Sequence, residues 1–187
     1  MASAGSKARL FVALDLPEDA REALVAWRER ALGGRGELRL LDPAALHVTL
    51  VFLGYLPEGE IDRIAELTAA ALPPAEPPVL TALGVKPVPP RAPRLFALDL
   101  ADDGDRCGAL QAEVAGALAG AGLYEPEKRP FWPHVTLARV RKGARVRASA
   151  PPPPPIDPWR GTAVTLYRSV LRRDGARYDA LHRVALA

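Results

Sequence analysis

A chain of 187 residues of which 49% are apolar can bury one domain core, or two small lobes packed closely together. Its 25 basic and 22 acidic residues leave a formal charge of +3, which suits a polyanionic partner but excludes the block-like charge of a chromatin or ribosome-coating tail. Four of the basic residues are lysine (Lys7, Lys86, Lys128, Lys142), and the 21 arginines favour bidentate phosphate contacts while also following from a coding bias towards Ala, Arg, Gly and Pro.

Elements follow in chain order from hydrophobic periodicity. "RLFVALDL" (9–16) is a β-rich run, and Pro17 opens a helix whose Leu24, Trp27 and Ala31 share a face before Gly33 and Gly34 stop it. "LRLL" and "LHVTLVFLGYL" read as strands. "EGEIDRIAELTAAAL" sets Ile61, Ile64 and Leu67 on one helical face before Pro73. "VLTALGVKPV" and "RLFALDL" return to strand character, and a third helix carries Leu110, Val114 and Leu118 four apart before Gly122. "PHVTLARVR", "TAVTLYRSVLR" and "RYDALHRVAL" are three further strands, the last two joined by a turn at Asp174 and Gly175. Residues 1–8 and the run Pro151 to Pro155 are expected to be irregular, the prolines as an extended polyproline II crossing at the surface. The whole chain, 1–187, is expected to form a single domain.

Cys107 is the lone cysteine, which excludes an internal disulfide and a thiolate metal cluster; its place in a helical pattern suits a small buried side chain. The amino terminus has no apolar run of signal-peptide length, and no stretch approaches a membrane span, so a cytoplasmic location is expected.

Two of three histidines fall within the same tetrapeptide, "HVTL", at 47–50 and again at 134–137. From this chain's usage of Val, Thr and Leu, such a coincidence arises on the order of once in a thousand chains, so a duplicated unit is the better account. On a strand the side chains alternate, so His47 and Thr49 share one face and His134 and Thr136 share one face, with the apolar residues opposite. An imidazole near its usual pKa of about 6.5 serves as general base or general acid, and a pair on opposite sides of a scissile bond can do both. Two histidines therefore suffice for in-line displacement at phosphorus, with the threonine hydroxyls donating to non-bridging phosphate oxygens, and the scheme demands no metal or cofactor.

The two "HVTL" copies, with "RLFVALDLP" near the start, "FLG" after the first copy, "PRLFALDL" between them, "PHVTLAR" at the second and "LYRSVLRRDGARY" near the end, resemble the two-histidine (2H) phosphoesterases. Among these the chain is most similar to the bacterial and archaeal RNA 2′,3′-cyclic phosphodiesterases, also called 2′-5′ RNA ligase-like proteins. The resemblance implies an α+β, bilobal, LigT-like fold: two pseudo-symmetric lobes with antiparallel sheets, outer helices and a central cleft. It implies hydrolysis of an RNA 2′,3′-cyclic phosphate end to a 2′-phosphomonoester, with His47 as proton donor, His134 as proton acceptor, and Thr49 and Thr136 holding the phosphate. The two copies are locally identical, so the donor and acceptor labels rest on the resemblance.

Arg139 is expected to contact phosphate or nucleic acid, although strand parity sets it opposite His134 unless a bulge intervenes. Phe11 and Tyr167 lie on strands, where core packing is the commoner role and stacking on a base the alternative. His182 lacks a following Thr and is read as structural; a three-histidine zinc site with His47 and His134 has no short ligand spacing to recommend it. RNA or an oligonucleotide with a cyclic end is the expected partner, bound by a monomer with no obligatory protein partner and no membrane. Two other functions fit the same motifs: 2′-5′ RNA ligation, and a module that binds RNA ends or nucleotides without turnover.

Overall fold

The computed structural model describes residues 6–172 and 175–186. In chain order they form β1 (Lys7–Asp15), α1 (Glu18–Leu32), β2 (Leu38–Leu40), β3 (His47–Pro57), α2 (Ile61–Ala70), β4 (Val79–Val88), β5 (Leu95–Asp102), α3 (Arg106–Gly120), β6 (His134–Val140), β7 (Trp159–Arg160), β8 (Ala163–Arg172) and β9 (Gly175–Ala185).

Local chemistry explains the helices. Pro17 stands at the N-cap of α1 in extended conformation, with Glu18 and Asp19 in the first turn where the positive end of the helix dipole favours them. Leu24 and Trp27 are buried, Ala31 is half-buried, and the Gly33 amide closes the helix on the Glu29 carbonyl at 3.0 Å. Both oxygens of Asp102 cap α3, accepting from the amides of Cys107 at 2.9 Å and Gly108 at 2.8 Å. Leu110, Val114 and Leu118 of α3 and Ile64 of α2 face the core.

The nine strands among the described residues make one antiparallel sheet in the order β7-β4-β5-β6-β3-β1-β8-β9, with β2 on β6. The sheets of the two expected lobes are therefore continuous. They meet between β3 and β6, where Val48 and Val135 are antiparallel Cα partners. Reading outward from that seam, β3, β1, β8 and β9 on one side correspond to β6, β5, β4 and β7 on the other, an approximate two-fold arrangement. α1 follows β1 as α3 follows β5, which completes the duplication.

Two local expectations change. Lys7 and Ala8 belong to β1 and are not irregular, because Lys7 pairs with Pro57 and Ala8, 4% exposed, pairs with Leu56. β7 was not foreseen; its two residues pair with Val79 and Leu80 beside the buried Trp159. Of the turn expected at Asp174 and Gly175, Asp174 lies outside the described residues, while Arg172 and Gly175 are partners across β8 and β9. Residues 151–155 lie outside any helix or strand. No helix of the described residues is long and apolar enough to cross a membrane.

Val48 and Val135 are both fully buried at the seam. Val135→Ala removes two methyl groups from a packed site and is expected to lower unfolding stability by about 2 kcal/mol, whereas Leu83→Ala, at a side chain 55% exposed, is expected to stay within about 0.5 kcal/mol. Urea denaturation of the two variants checks this; equal losses would contradict the seam's burial.

Candidate active site

The seam brings the two motifs together. In the antiparallel register set by Val48 and Val135, His47 stands at the position across from Thr136, and Thr49 across from His134. Directly opposed strand positions carry Cβ atoms about 5 Å apart, so both imidazoles and both hydroxyls face one cleft. That cleft has a volume of ≈ 1030 Å³ and its lining includes His47, Thr49, His134, Thr136 and Arg139, the five side chains given a catalytic or phosphate-binding role in the sequence analysis.

Arg139 reaches the cleft through a bulge. Phe96 pairs with Ala138 but Ala97 pairs with Thr136, so Leu137 is the extra residue in β6 and the side-chain parity reverses beyond it. Leu137 and Ala138 are both fully buried and Arg139 emerges on the motif's own face. β3 repeats the device: Val12 pairs with Val51 and Ala13 with Thr49, leaving Leu50 as the extra residue and turning Phe52 into the cleft. The two lobes thus differ at equivalent positions, with an arginine on one side and, on the other, a Phe52 ring covered by the Arg9 guanidinium at 4.6 Å.

Each imidazole is anchored in the same way. His134 donates from Nδ1 to the Trp132 carbonyl at 2.8 Å, and His47 is hydrogen-bonded to the Ala45 carbonyl, also two residues earlier. With Nδ1–H committed to a carbonyl, Nε2 of each neutral ring is left as the acceptor. Nε2 of His47 pairs with Thr49 Oγ1 at 3.0 Å. Ring contacts fix the planes: Phe11 stacks on His47 at 4.9 Å, Tyr178 meets His47 edge-on at 5.4 Å, and Trp132 stacks on His134 at 4.1 Å.

A carboxylate stands across the strand from each histidine: Asp15 is the Cα partner of His47 and Asp99 of His134. Asp15 accepts from Thr165 and Tyr167, both at 2.8 Å, and pairs with Arg183 at 3.2 Å. Asp99 accepts from the Trp132 indole and pairs with Lys86. Burial dominates both imidazoles: it pushes His47 down to about 4, against the opposing pull of the Ala45 carbonyl and Asp15, and holds His134 below the usual histidine value, against Trp132 and Asp99. Burial and Asp15 push the Tyr167 hydroxyl up to about 12, so it stays a donor.

The cleft is built for an anion. Arg9, Arg28, Arg39, Arg139, Arg172 and Arg177 line it against two carboxylates, Glu29 and Asp42. Arg28 is 1% exposed and donates to the Leu137 carbonyl, the bulge residue, at 3.4 Å. Gly175, at φ 140°, admits the Arg39 guanidinium where any Cβ would strike it.

Of the remaining sequence candidates, Phe11 and Tyr167 pack around His47 rather than projecting as free platforms; Phe11 is 3% exposed. His182 is exposed on β9 and absent from the cleft lining, so the three-histidine arrangement is not assembled. Among the described residues, no group of three or more His, Cys, Asp or Glu could hold a metal ion. Cys107 is fully buried, and its thiol is pushed up to about 12 by burial and the nearby Asp102.

Residues 16–173 match the model of the 2′-5′ RNA ligase superfamily. The chain is 34% identical to an RNA 2′,3′-cyclic phosphodiesterase of Thermus thermophilus, over 95% of this chain and 90% of the relative. It is 30% identical to an RNA 2′,3′-cyclic phosphodiesterase of Escherichia coli, over 95% and 96%. Among solved structures it is similar to E. coli LigT in apo form, with a TM-score of 0.76 and 28% identity over 97% of this chain and 99% of that one. E. coli LigT has also been crystallised with 3′-AMP, and that structure superposes with the same TM-score of 0.76. A doubled histidine motif facing one basic cleft, on a fold shared with these proteins, agrees with the family match across most of the chain: the protein belongs to the 2′-5′ RNA ligase superfamily.

Proposed function

We propose that this chain hydrolyses RNA 2′,3′-cyclic phosphate ends to 2′-phosphomonoesters, without a metal, by paired histidine acid and base catalysis. The observation that carries the reading is the antiparallel seam, which sets an imidazole and a hydroxyl from each lobe around one arginine-lined cleft. Two relatives covering nearly the whole chain bear the name of that activity.

His134 Nε2 takes a proton from water, whose oxygen attacks phosphorus. The bond from phosphorus to O3′ breaks, and His47 gives its Nε2 proton to the departing O3′. One water is consumed; the products are a 3′-hydroxyl and a 2′-phosphate, and proton exchange with solvent resets the pair. Thr49 and Thr136 donate to the non-bridging oxygens, where negative charge grows, and Arg139 neutralises it further. The acid and base labels follow the family resemblance. Asp15 and Asp99, each across from one imidazole, stabilise whichever ring is protonated. The two lobes act as one domain, and the enzyme works as a cytoplasmic monomer.

With an RNA 5′-hydroxyl in place of water, His134 would take its proton, its oxygen would attack phosphorus and O3′ would leave with the proton from His47, giving a 2′-5′ phosphodiester; the superfamily's own description, 2′-5′ RNA ligase, favours keeping this second reading. The ratio of opened to joined product separates the two.

His47→Ala and His134→Ala are each expected to lower kcat by about 10²–10⁴-fold, and Thr49→Val or Thr136→Val by about 10²-fold, with wild-type turnover unchanged in EDTA. Steady-state kinetics on a cyclic-ended RNA checks this; a chelator-sensitive rate, or a fully active histidine variant, would overturn the proposal. Because burial lowers both imidazoles, the bell in kcat/KM, which reports the free enzyme, is expected to peak on the acid side of pH 6.5. The base fails as pH falls and His134 gains its proton; the acid fails as pH rises and His47 loses its own. A maximum above pH 7.5 would contradict this assignment.

A further inference from the structure

Beyond the cleft, positive charge continues along one path. Between residues 134 and 156 the sequence has five basic residues, Arg139, Arg141, Lys142, Arg145 and Arg147, and no acidic one. Arg139 lies in the cleft beside its Cα partner Arg39, and the next four basic residues are exposed on the segment leaving β6.

This segment is fastened to the rim. The Arg141 amide donates to the Glu37 carbonyl at 2.9 Å, and its guanidinium to the Gly36 and Leu38 carbonyls, both at 3.1 Å. Arg35 holds the Arg147 and Ser149 carbonyls at 3.3 and 3.1 Å, and Val146 packs on the core. Charge compensation is sparse along this path. Among the described residues no carboxylate forms an ion pair with Arg139, Arg141, Lys142, Arg145 or Arg147, and Glu37, the carboxylate beside the path, pairs with Arg35. By contrast Lys86, Arg106 and Arg160 on the same lobe, and Arg168, Arg177 and Arg183 on the other, each face a carboxylate.

Resting on the function proposed above, we propose that the RNA strand 5′ of the cyclic end lies along this strip, so that oligonucleotides are preferred over free cyclic mononucleotides. A cyclic phosphate closes the 3′ end of its chain, so any further nucleotides must leave the cleft in the 5′ direction, and uncompensated cations attract the polyanion there. The strip has no aromatic residue between Trp132 and Trp159, so it contacts phosphates and not bases, and recognition along it is independent of sequence.

The test compares kcat/KM for a 2′,3′-cyclic mononucleotide and for an RNA of roughly ten nucleotides with the same cyclic end. The wild type and Lys142→Ala/Arg145→Ala/Arg147→Ala are assayed across a salt series. The wild type is expected to favour the oligonucleotide by roughly twenty-fold or more at low salt. With three phosphate contacts released, that advantage should fall by roughly twenty-fold between about 50 and 200 mM salt. The triple variant should lose the advantage while still opening the mononucleotide, which reports an intact cleft. Equal kcat/KM for both lengths, or a preference that salt and the variant leave intact, would overturn the strip. If neither substrate is opened, the catalytic reading fails separately. Fluorescence anisotropy of a 5′-labelled RNA ending in a 3′-phosphate then decides the strip: weaker binding by the variant supports it, and equal binding overturns it.

Discussion

The active-site geometry depends on one strand pairing, the antiparallel contact of Val48 with Val135. Because the strands run in opposite directions through that pair, the histidine of each motif is carried towards the threonine of the other, and an approximate two-fold axis passes through the centre of the cleft. A one-residue slip would turn both imidazoles into the core. The apolar halves of the two motifs prevent it: Val48, Leu50, Val135 and Leu137 are all buried, so register and chemistry are fixed by the same residues.

Burial then shapes what the histidines can do. Rings held by a backbone carbonyl at Nδ1 and by aromatic stacking have a single tautomer to offer, with Nε2 directed at the substrate. Desolvation lowers both pKa values, while a carboxylate across each strand limits the drop. Negative charge brought into the cleft by a phosphate would favour the protonated form that burial disfavours. The duplication is not perfect, and its departures give the cleft direction: Arg139 replaces Phe52 at the equivalent position, and a run of basic residues follows only the second motif.

Much of this was legible in the sequence, because the carrying signals are local. The alternation in "HVTL", repeated, pointed to the strand and to the shared face of His47, Thr49, His134 and Thr136. Arg139 depended on the bulge at Leu137. The signal was there in two consecutive apolar residues after each threonine, Leu50-Val51 and Leu137-Ala138, which break the period of two. Asp15, Asp99, Arg9, Arg28, Arg39, Phe52 and Tyr178 were missed because their roles are created by strand register, by the helix packed over the sheet and by the β8 and β9 hairpin, contacts distant in sequence. The continuity of the sheet was hidden for the same reason, since among the described residues only one β3–β6 residue pair and the three-residue β2–β6 ladder join the halves.

The most direct measurement is phosphorus NMR of an RNA oligonucleotide ending in a 2′,3′-cyclic phosphate, incubated with the protein in EDTA beside the His134→Ala variant. Conversion by the wild type alone, to a 2′-phosphomonoester, is the expected result, since it reports base catalysis by His134, departure of O3′ and independence of metal in one spectrum. A 3′-phosphomonoester, or equal conversion by the variant, would contradict the account.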